Sequence, residues 1–137
     1  MGVAMGGMNT TLRDAALFDN LILNRGSIGS RQIIPANWAD ETLKLTKEDK
    51  ERFARNDVYT RTHWVGYKNF WWILDETKGE YCGLGVQGQL IYINRSTNMV
   101  IAYFSSQPLT SVASSGSYKA VYSKLNACRA LAKSMLK

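Results

Sequence analysis

The sequence CGLGVQGQLIYINRSTNMVIAYF, residues 82–104, decides the fold, and it contains two overlapping patterns. Gly83, Gly85 and Gly88 form G-x-G-x-x-G, the spacing with which a strand–turn–helix unit holds the pyrophosphate of a dinucleotide. Such a site needs an α-helix that begins in the glycines, because the helix N-terminus supplies the N–H groups and the dipole. The residues after Gly88 are instead typical of two strands and a turn. The glycines therefore predict no nucleotide site.

The second pattern is a β-hairpin. Leu90 and Tyr92 alternate with Ile91 and Ile93, the polar run NRSTN comes next as a turn, and MVIAYF continues the alternation. This arrangement is typical of antiparallel strands joined by a short turn. Glycines in the preceding LGVQG mark either a bulge or a place where a ligand or another backbone comes close. We predict a strand with a bare, approachable rim there, although the spacing alone favours a plain bulge.

The composition is ordinary for a single soluble globular domain. The chain has 137 residues, of which 45% are hydrophobic and 20% charged, and no run of about 18 apolar residues would cross a membrane. The first residues lack the charged and apolar regions of a secretory signal. Cys82 and Cys128 belong to no C-x-x-C pair, and a single histidine cannot complete a zinc-ligand set. We predict no metal site and two free, buried thiols, with a disulfide between them left open.

The net charge of +6 raises the question of nucleic-acid binding. Basic and acidic residues alternate over 47–55, which is typical of a solvated helix face. The densest uncompensated basic set lies in the last predicted helix and is expected to form a solvent-facing stripe: Lys119, Lys124, Arg129, Lys133 and Lys137. We therefore expect no nucleic-acid partner.

Residues 9–26, NTTLRDAALFDNLILNRG, predict the first helix. Asp14 stands three residues after Thr11, as in a capping box. The apolar residues form one stripe at helical spacing: Leu12, Ala15, Ala16, Ile22 and Leu23. Asp19 lies in the middle of this stripe, where an unpartnered carboxylate is costly to bury.

The remaining elements are predicted from the same signals. A short helix carries Trp38, a second polar helix is capped by Thr46, and residues 56–68 read as a loop. NFWWILDE, residues 69–76, has the composition of a strand. Residues 118–135 predict an amphipathic helix, and these side chains share its apolar face: Tyr118, Val121, Tyr122, Leu125, Cys128, Ala132 and Met135.

Three blocks together resemble one known family. They are GGMNTTLRDAALFDNLILNRGSIGSRQIIPANW (6–38), GYKNFWWI (66–73) and GLGVQGQLIYINRSTNMVIAYFSSQP (83–108). They resemble the last third of the serine β-lactamase-related hydrolases, most closely the branch with class C β-lactamases, family VIII esterases and 6-aminohexanoate-dimer hydrolases. The resemblance implies an α+β fold with an antiparallel sheet packed by N- and C-terminal helices.

The same resemblance implies that the fold is incomplete. Residues 1–137 would form the C-terminal portion of a single β-lactamase-related domain. Within it we expect a helical part over 1–68, antiparallel strands over 69–106 and a C-terminal helix over 117–136.

The family's chemistry has three parts. A serine in S-x-x-K is the nucleophile, a tyrosine relays protons, and a strand equivalent to K-T-G gives a backbone N–H to the oxyanion hole. In the nylon-oligomer branch that strand reads G-[IV]-H-G-Q, and this chain has Gly85-Val86-Gln87-Gly88-Gln89. The resemblance implies that the Val86 N–H is the oxyanion donor and that Gly85, Gln87 and Gly88 contact substrate. Gln87 replaces the branch's usual histidine.

The first two parts are absent from this chain. Its S-x-x-K, residues 134–137, stands at the very end and cannot open a buried helix, so we interpret it as chance. We expect the chain alone to be non-catalytic and to need no cofactor. Its expected partners are the N-terminal portion of the same fold and, in the intact enzyme, a small-molecule amide or ester. Residues 83–85 lack the K-T-G lysine, which favours an amidase or esterase over a β-lactamase.

Two departures fit a fragment. The family usually has a glycine where Asp19 stands, and Gln87 alters the site. A missing portion would also leave sheet edges uncovered, which favours self-association.

Two other functions stay open. Trp64, Trp71 and Trp72 beside basic residues could stack on a sugar or base, but adjacent tryptophans on a strand point to opposite faces, so one is expected in the core. The chain could also be a non-catalytic binding or remnant protein. His63 has no serine or cysteine partner at a recognisable spacing and is expected at the surface.

Overall fold

The computed structural model describes residues 7, 9–60, 62–107 and 119–136, without the side chains of 58, 60 and 119. In chain order the helices and strands are α1 (Leu12–Leu23), β1 (Ser27–Ile28), β2 (Arg31–Gln32), α2 (Ala36–Glu41), α3 (Lys47–Ala54), α4 (Asp57–Thr60), β3 (Gly66–Lys68), β4 (Trp71–Asp75), β5 (Glu80–Leu84), β6 (Leu90–Asn94), β7 (Met99–Tyr103) and α5 (Lys119–Ser134). The predicted α+β class is confirmed.

A five-stranded antiparallel sheet forms the centre of the fold. Its strands lie in chain order, β3-β4-β5-β6-β7. The predicted hairpin is β6–β7, with Leu90 opposite Tyr103 and Asn94 opposite Met99. β1 and β2 form a separate two-stranded hairpin.

Helices cover both faces of the sheet, so its strands are apolar on both sides. One buried cluster joins α1 to the first face and contains Ile22, Leu23, Leu43, Trp71, Ile73, Tyr81 and Ile93. The other joins α5 to the opposite face and contains Trp64, Leu74, Cys82, Leu90, Tyr92, Val121, Leu125 and Cys128. Consecutive strand residues enter opposite clusters, as the two-residue period of a strand requires. Near-continuous hydrophobic runs such as WWIL and LIYI result from this arrangement.

The predicted helix starts are confirmed. Thr11 accepts the Asp14 N–H at 3.1 Å, and Thr46 and Asp49 form a reciprocal capping box. The α1 stripe is buried at Ala15 but differs at its start, because Leu12 is 49% exposed.

Residues 56–68 are not the loop that the sequence predicted. They contain the single-turn helix α4 and the strand β3, whose Gly66 lies opposite Ile73 of β4. Three residues are too few to show a period, and β3 is fixed by pairing with β4 rather than by local preference. A Cβ on Gly66 would lie 2.4 Å from a methyl of Leu45, so the glycine leaves room for Leu45, which lies just before α3. The span 1–68 therefore also contains strands, and residues 117 and 118 of the last predicted span lie outside the described residues.

A buried ion pair joins the sheet to α5. The Glu80 side chain is 2% exposed, and Arg129 donates to its two carboxylate oxygens at 2.7 and 3.0 Å. The hydroxyl of Tyr92 donates to the same carboxylate at 2.9 Å and accepts from the Asn94 amide at 3.2 Å. The hydrogen bond to Glu80 raises the pKa of Arg129. Bidentate guanidinium–carboxylate geometry with further donors is what a buried charge needs.

Asp19 is buried, as the helical stripe predicted. It is 0% exposed, and neither carboxylate oxygen has a hydrogen-bond partner within the described residues. Burial raises the pKa of Asp19 to about 8. Its near neighbour Tyr81 is also fully buried, and burial raises the pKa of that phenol to about 12. The α1 face of the sheet thus contains an unsatisfied carboxyl group that opposes folding.

We expect Arg129→Met to lower the free energy of unfolding by about 3 kcal/mol, because it leaves the Glu80 carboxylate buried without a cation. Lys133→Met, at an exposed position on the same helix, is the matched control and should change it by less than about 0.5 kcal/mol. Urea denaturation of the full chain, followed by circular dichroism, gives both values. A loss for Arg129→Met no larger than that of the control would contradict this role.

We expect stability to fall as the pH rises from about 4 to about 8. Asp19 ionises near 3.8 when unfolded and near 8 when folded, so between those values the folded state holds a proton that the unfolded state has lost. Each pH unit then costs up to about 1.4 kcal/mol. Urea denaturation at about pH 5, 7 and 9 measures this slope.

Asp19→Asn should abolish most of that pH dependence. Glu48→Gln, at a carboxylate whose side chain is 78% exposed, should leave the dependence as it is. An unchanged slope in Asp19→Asn would show that another group is responsible.

Candidate functional site

Residues 85–89 form a tight turn that connects β5 to β6. The predicted strand with a bare rim is wrong here, because β5 ends at Leu84 and residues 86–88 form a single 3₁₀ turn. The Gly85 N–H donates to the Gln89 carbonyl at 3.0 Å, which closes the turn. The chain continues from the turn into strand β6 rather than into an α-helix, as predicted for a glycine pattern without a nucleotide site.

The backbone of this turn is held in an uncommon conformation. Gln87 has φ 59° and ψ 20°, in the left-handed region, and Gly88 has φ 84°. A non-glycine residue there costs about 1 kcal/mol or more and persists only where its surroundings impose it. The positive φ favours glycine at position 88, and a Cβ there would lie 2.6 Å from both the Lys124 ammonium and the Gln107 side-chain oxygen.

The turn presents free N–H groups to solvent. Val86 is 65% exposed, and its N–H has no acceptor among the described residues. The first N–H groups of any helical turn lack internal acceptors. A helical residue followed by a left-handed one also directs successive N–H groups into one concavity, which suits an anion. The turn can therefore accept a negatively charged oxygen at Val86.

Several bonds from the segment after β7 hold the turn. The Gln89 side chain accepts from the Ser105 N–H at 3.0 Å and donates to the Ser105 carbonyl. The Gln107 N–H donates to the Gln87 carbonyl at 3.1 Å. These contacts attach the middle and the end of the turn to the segment that follows β7.

Lys124 of α5 also contacts the turn. Its ammonium donates to the Gly88 carbonyl at 3.0 Å and lies 4.7 Å from the centre of the Tyr103 ring. The predicted solvent-facing basic stripe is therefore wrong at Lys124 and at Arg129, which pairs with Glu80. Lys137 of that set lies outside the described residues.

Sequence reasoning missed Lys124, and one signal could have found it. Lys124 stands three residues after Val121 and four before Cys128, both buried, so it borders the apolar face of α5 rather than opposing it. Its partner is 36 residues away along the chain. No local pattern indicates that contact.

The structure places the four predicted site residues together on this one turn: Gly85, Val86, Gln87 and Gly88. Ser134 of the terminal S-x-x-K is exposed, and its hydroxyl donates to the Leu131 carbonyl at 2.7 Å. Its lysine lies outside the described residues. His63 is exposed as predicted, with its ring 5.2 Å from that of Tyr122.

The tryptophans are packed within the protein. Trp64 and Trp71 are 7% and 5% exposed, and Trp72 lies 4.4 Å from both Trp64 and Tyr67, measured between ring centroids. The exposed stacking platform considered for these residues is not seen in this arrangement.

Both thiols are free and buried, which confirms the prediction. Burial raises the pKa of Cys82 and of Cys128, so neither is suited to act as a nucleophile. Over the described ranges, no three acidic, histidine or cysteine side chains gather as a metal site would require. None of the described helices has the length and hydropathy to span a membrane.

Comparison with known proteins finds similar curated proteins and solved structures, while no family model matches the chain. The chain is 26% identical over 113 residues to the 6-aminohexanoate-dimer hydrolase of Paenarthrobacter ureafaciens, covering 78% of this chain. A solved structure from Bacillus anthracis, provisionally assigned as a 6-aminohexanoate-dimer hydrolase, superposes with a TM-score of 0.60 at 29% identity, covering 87% of this chain.

The matched segment is a small part of each relative. It spans 27% of the Paenarthrobacter protein and 29% of the Bacillus chain. Sequence and fold thus agree with the resemblance that the three blocks indicated. The chain is similar to 6-aminohexanoate-dimer hydrolases over part of their length, and it fits a C-terminal portion of a β-lactamase-like hydrolase.

Proposed function

We propose that this chain is the C-terminal part of a serine hydrolase that cleaves amide or ester bonds through an acyl-serine intermediate. The observation that carries the proposal is the turn at residues 85–89, where the exposed Val86 N–H meets no acceptor in the described part of the chain. Both relatives bear the name of a dimer hydrolase. In this chain the turn occupies the place that the family resemblance gives to the oxyanion strand.

The Val86 N–H would act on the tetrahedral intermediate. Attack of a serine hydroxyl on an amide or ester carbonyl leaves a negative charge on the carbonyl oxygen. A fixed N–H directed at that oxygen stabilises it without reorganisation, and loss of one such donor typically costs about 10²- to 10³-fold in kcat. The left-handed Gln87 and the bonds to Ser105 and Gln107 keep the N–H in place before substrate arrives.

Gln87 would contribute to substrate contact. Its side chain is exposed beside Val86 on the same turn. An uncharged amide there can donate and accept hydrogen bonds but cannot relay protons as histidine does. We therefore assign Gln87 to orientation of the substrate rather than to proton transfer.

The nucleophile and proton relay would come from an N-terminal portion of the same fold. A strand of that N-terminal portion could pair with β7, whose outer edge carries no further strand among the described residues. β7 reads MVIAY, without the charges or proline that natural edge strands use against association. Helices pack on both edge strands, α1 on β7 and α3 on β3, but at β3 Lys68 also pairs with Asp49 at 3.3 Å. A β7 edge left without a strand partner would also favour self-association.

The purified chain alone should have no serine hydrolase activity. A fluorophosphonate probe, read by intact-protein mass spectrometry, should label less than about 1% of it, because both thiols are buried and no serine hydroxyl in the described ranges bonds to a basic side chain. The intact Paenarthrobacter relative is the positive control. Stoichiometric labelling of a serine in this chain would contradict the proposal.

Joining the chain to the remainder of that relative, in place of the matched segment, should give an active hydrolase in which Val86→Pro lowers kcat about 10²- to 10³-fold. Proline removes the N–H of residue 86 and is compatible with the backbone conformation of the turn. Gly85 is already extended, at φ −113° and ψ 166°, as the residue before proline prefers, and Val86 starts a helical turn. Val86→Ala keeps the N–H and is the matched control.

Val86→Ala should stay within about threefold of the parent kcat, and KM should change little in either variant. Equal activity of the proline and alanine variants would remove Val86 from the oxyanion hole.

A further inference from the structure

We propose that Lys124 is a positioning residue that fixes the turn at residues 85–89 in its anion-accepting conformation. The consequence of this role for catalysis rests on the proposed function. The effect of Lys124 on the conformation of the turn rests only on the contacts that Lys124 makes. The relevant feature is that the ammonium, the Gly88 carbonyl and the Tyr103 ring meet at one point on the surface of the sheet.

The contact is specific in geometry. Lys124 is half-buried, and its ammonium donates to the Gly88 carbonyl at 3.0 Å. A Cβ on Gly88 would lie 2.6 Å from that nitrogen, so the ammonium lies directly against the backbone of the turn. No other described group donates to this carbonyl. Lys124 is thus the partner that determines where the Gly88 carbonyl points.

The ring of Tyr103 stabilises the ammonium group of Lys124. A separation of 4.7 Å between the nitrogen and the ring centroid is within the range of a cation–π contact. A hydrogen bond from a charged donor is also stronger than one between neutral groups. Two favourable contacts offset the entropy that a long lysine side chain loses when it is held in one place.

The orientation of the Gly88 carbonyl controls the rest of the turn. Gln87 is left-handed at φ 59° and Gly88 at φ 84°, and both are conformations that a short turn readily exchanges for others. The bond from Gln107 holds the Gln87 carbonyl, and the bond from Lys124 holds the next one. With both carbonyls bonded, the N–H groups of Val86 and Gln87 are left to share one concavity. The Gly88 carbonyl shares its peptide plane with the Gln89 N–H, which donates to the Val86 carbonyl at 3.4 Å. Without the bond from Lys124, that long hydrogen bond alone would hold the plane.

The test is backbone amide relaxation by NMR on the full chain, whose mass of 15.4 kDa suits the method. The amides of Val86, Gln87 and Gly88 should have order parameters near about 0.85 in the parent chain and below about 0.6 in Lys124→Met. Lys124→Arg keeps a cation that can reach the carbonyl and the ring, and it should restore the parent values. Lys133→Met, on the exposed side of α5, should leave them unchanged.

Two results would overturn the proposal. One is an unchanged order parameter at all three amides in Lys124→Met. The other is a loss of order throughout α5, which would make Lys124 a residue of helix packing rather than of the turn. Should Lys124→Met fail to fold, Tyr103→Leu removes the supporting ring, keeps the lysine, and should loosen the same three amides to a smaller extent.

This measurement involves no hydrolysis, so it separates the two proposals. Loosened amides in Lys124→Met together with equal activity of the Val86 proline and alanine variants would retain the positioning role and reject the oxyanion role. Amides that stay rigid in Lys124→Met, together with an inactive Val86→Pro variant, would reject the positioning role of Lys124 and retain the oxyanion role of Val86.

Discussion

The ion pair between Glu80 and Arg129 determines how helix α5 packs on the sheet. Glu80 lies in the central strand β5, and Arg129 lies on α5, the helix that covers one face of the sheet. Because the carboxylate is 2% exposed, α5 can dock only in the register that brings the guanidinium to it. Lys124 lies five residues earlier on the same helix and reaches Gly88 in that register. A structural ion pair in the core thus also sets the geometry of the candidate site.

The buried carboxyl groups on the two faces of the sheet differ in whether they have hydrogen-bond partners. On the α5 face every polar atom of the Glu80 group has a partner. On the α1 face Asp19 has none within the described part of the chain, and the pKa of this carboxyl is raised to about 8. Natural proteins usually avoid such a group unless it serves a function or its cost is tolerated. The α1 face therefore contributes a destabilising group, and the stability of the fold depends on the protonation of Asp19.

The sequence predicts the parts of this fold that depend on local signals. The β6–β7 hairpin is predicted by alternation, and the caps at Thr11 and Thr46 are predicted by residue spacing. The strand β3 is not predicted, because its three residues pair only with a neighbour. The turn at Gln87 is also missed, because a left-handed glutamine is imposed by contacts with residues far along the chain. Local patterns assign Lys124 and Arg129 to solvent for the same reason, since their partners are 36 and 49 residues away.

Under the proposed function the turn at residues 85–89 supplies only part of an active site, and this defines the most direct test. An N–H that can stabilise an oxyanion has a catalytic use only when a nucleophile is brought to it. The decisive measurement is to read the coding sequence in frame upstream of Met1. The account predicts an open frame that encodes S-x-x-K and then a tyrosine motif. A frame that is closed, or that encodes neither, would contradict the assignment of this chain to a working hydrolase.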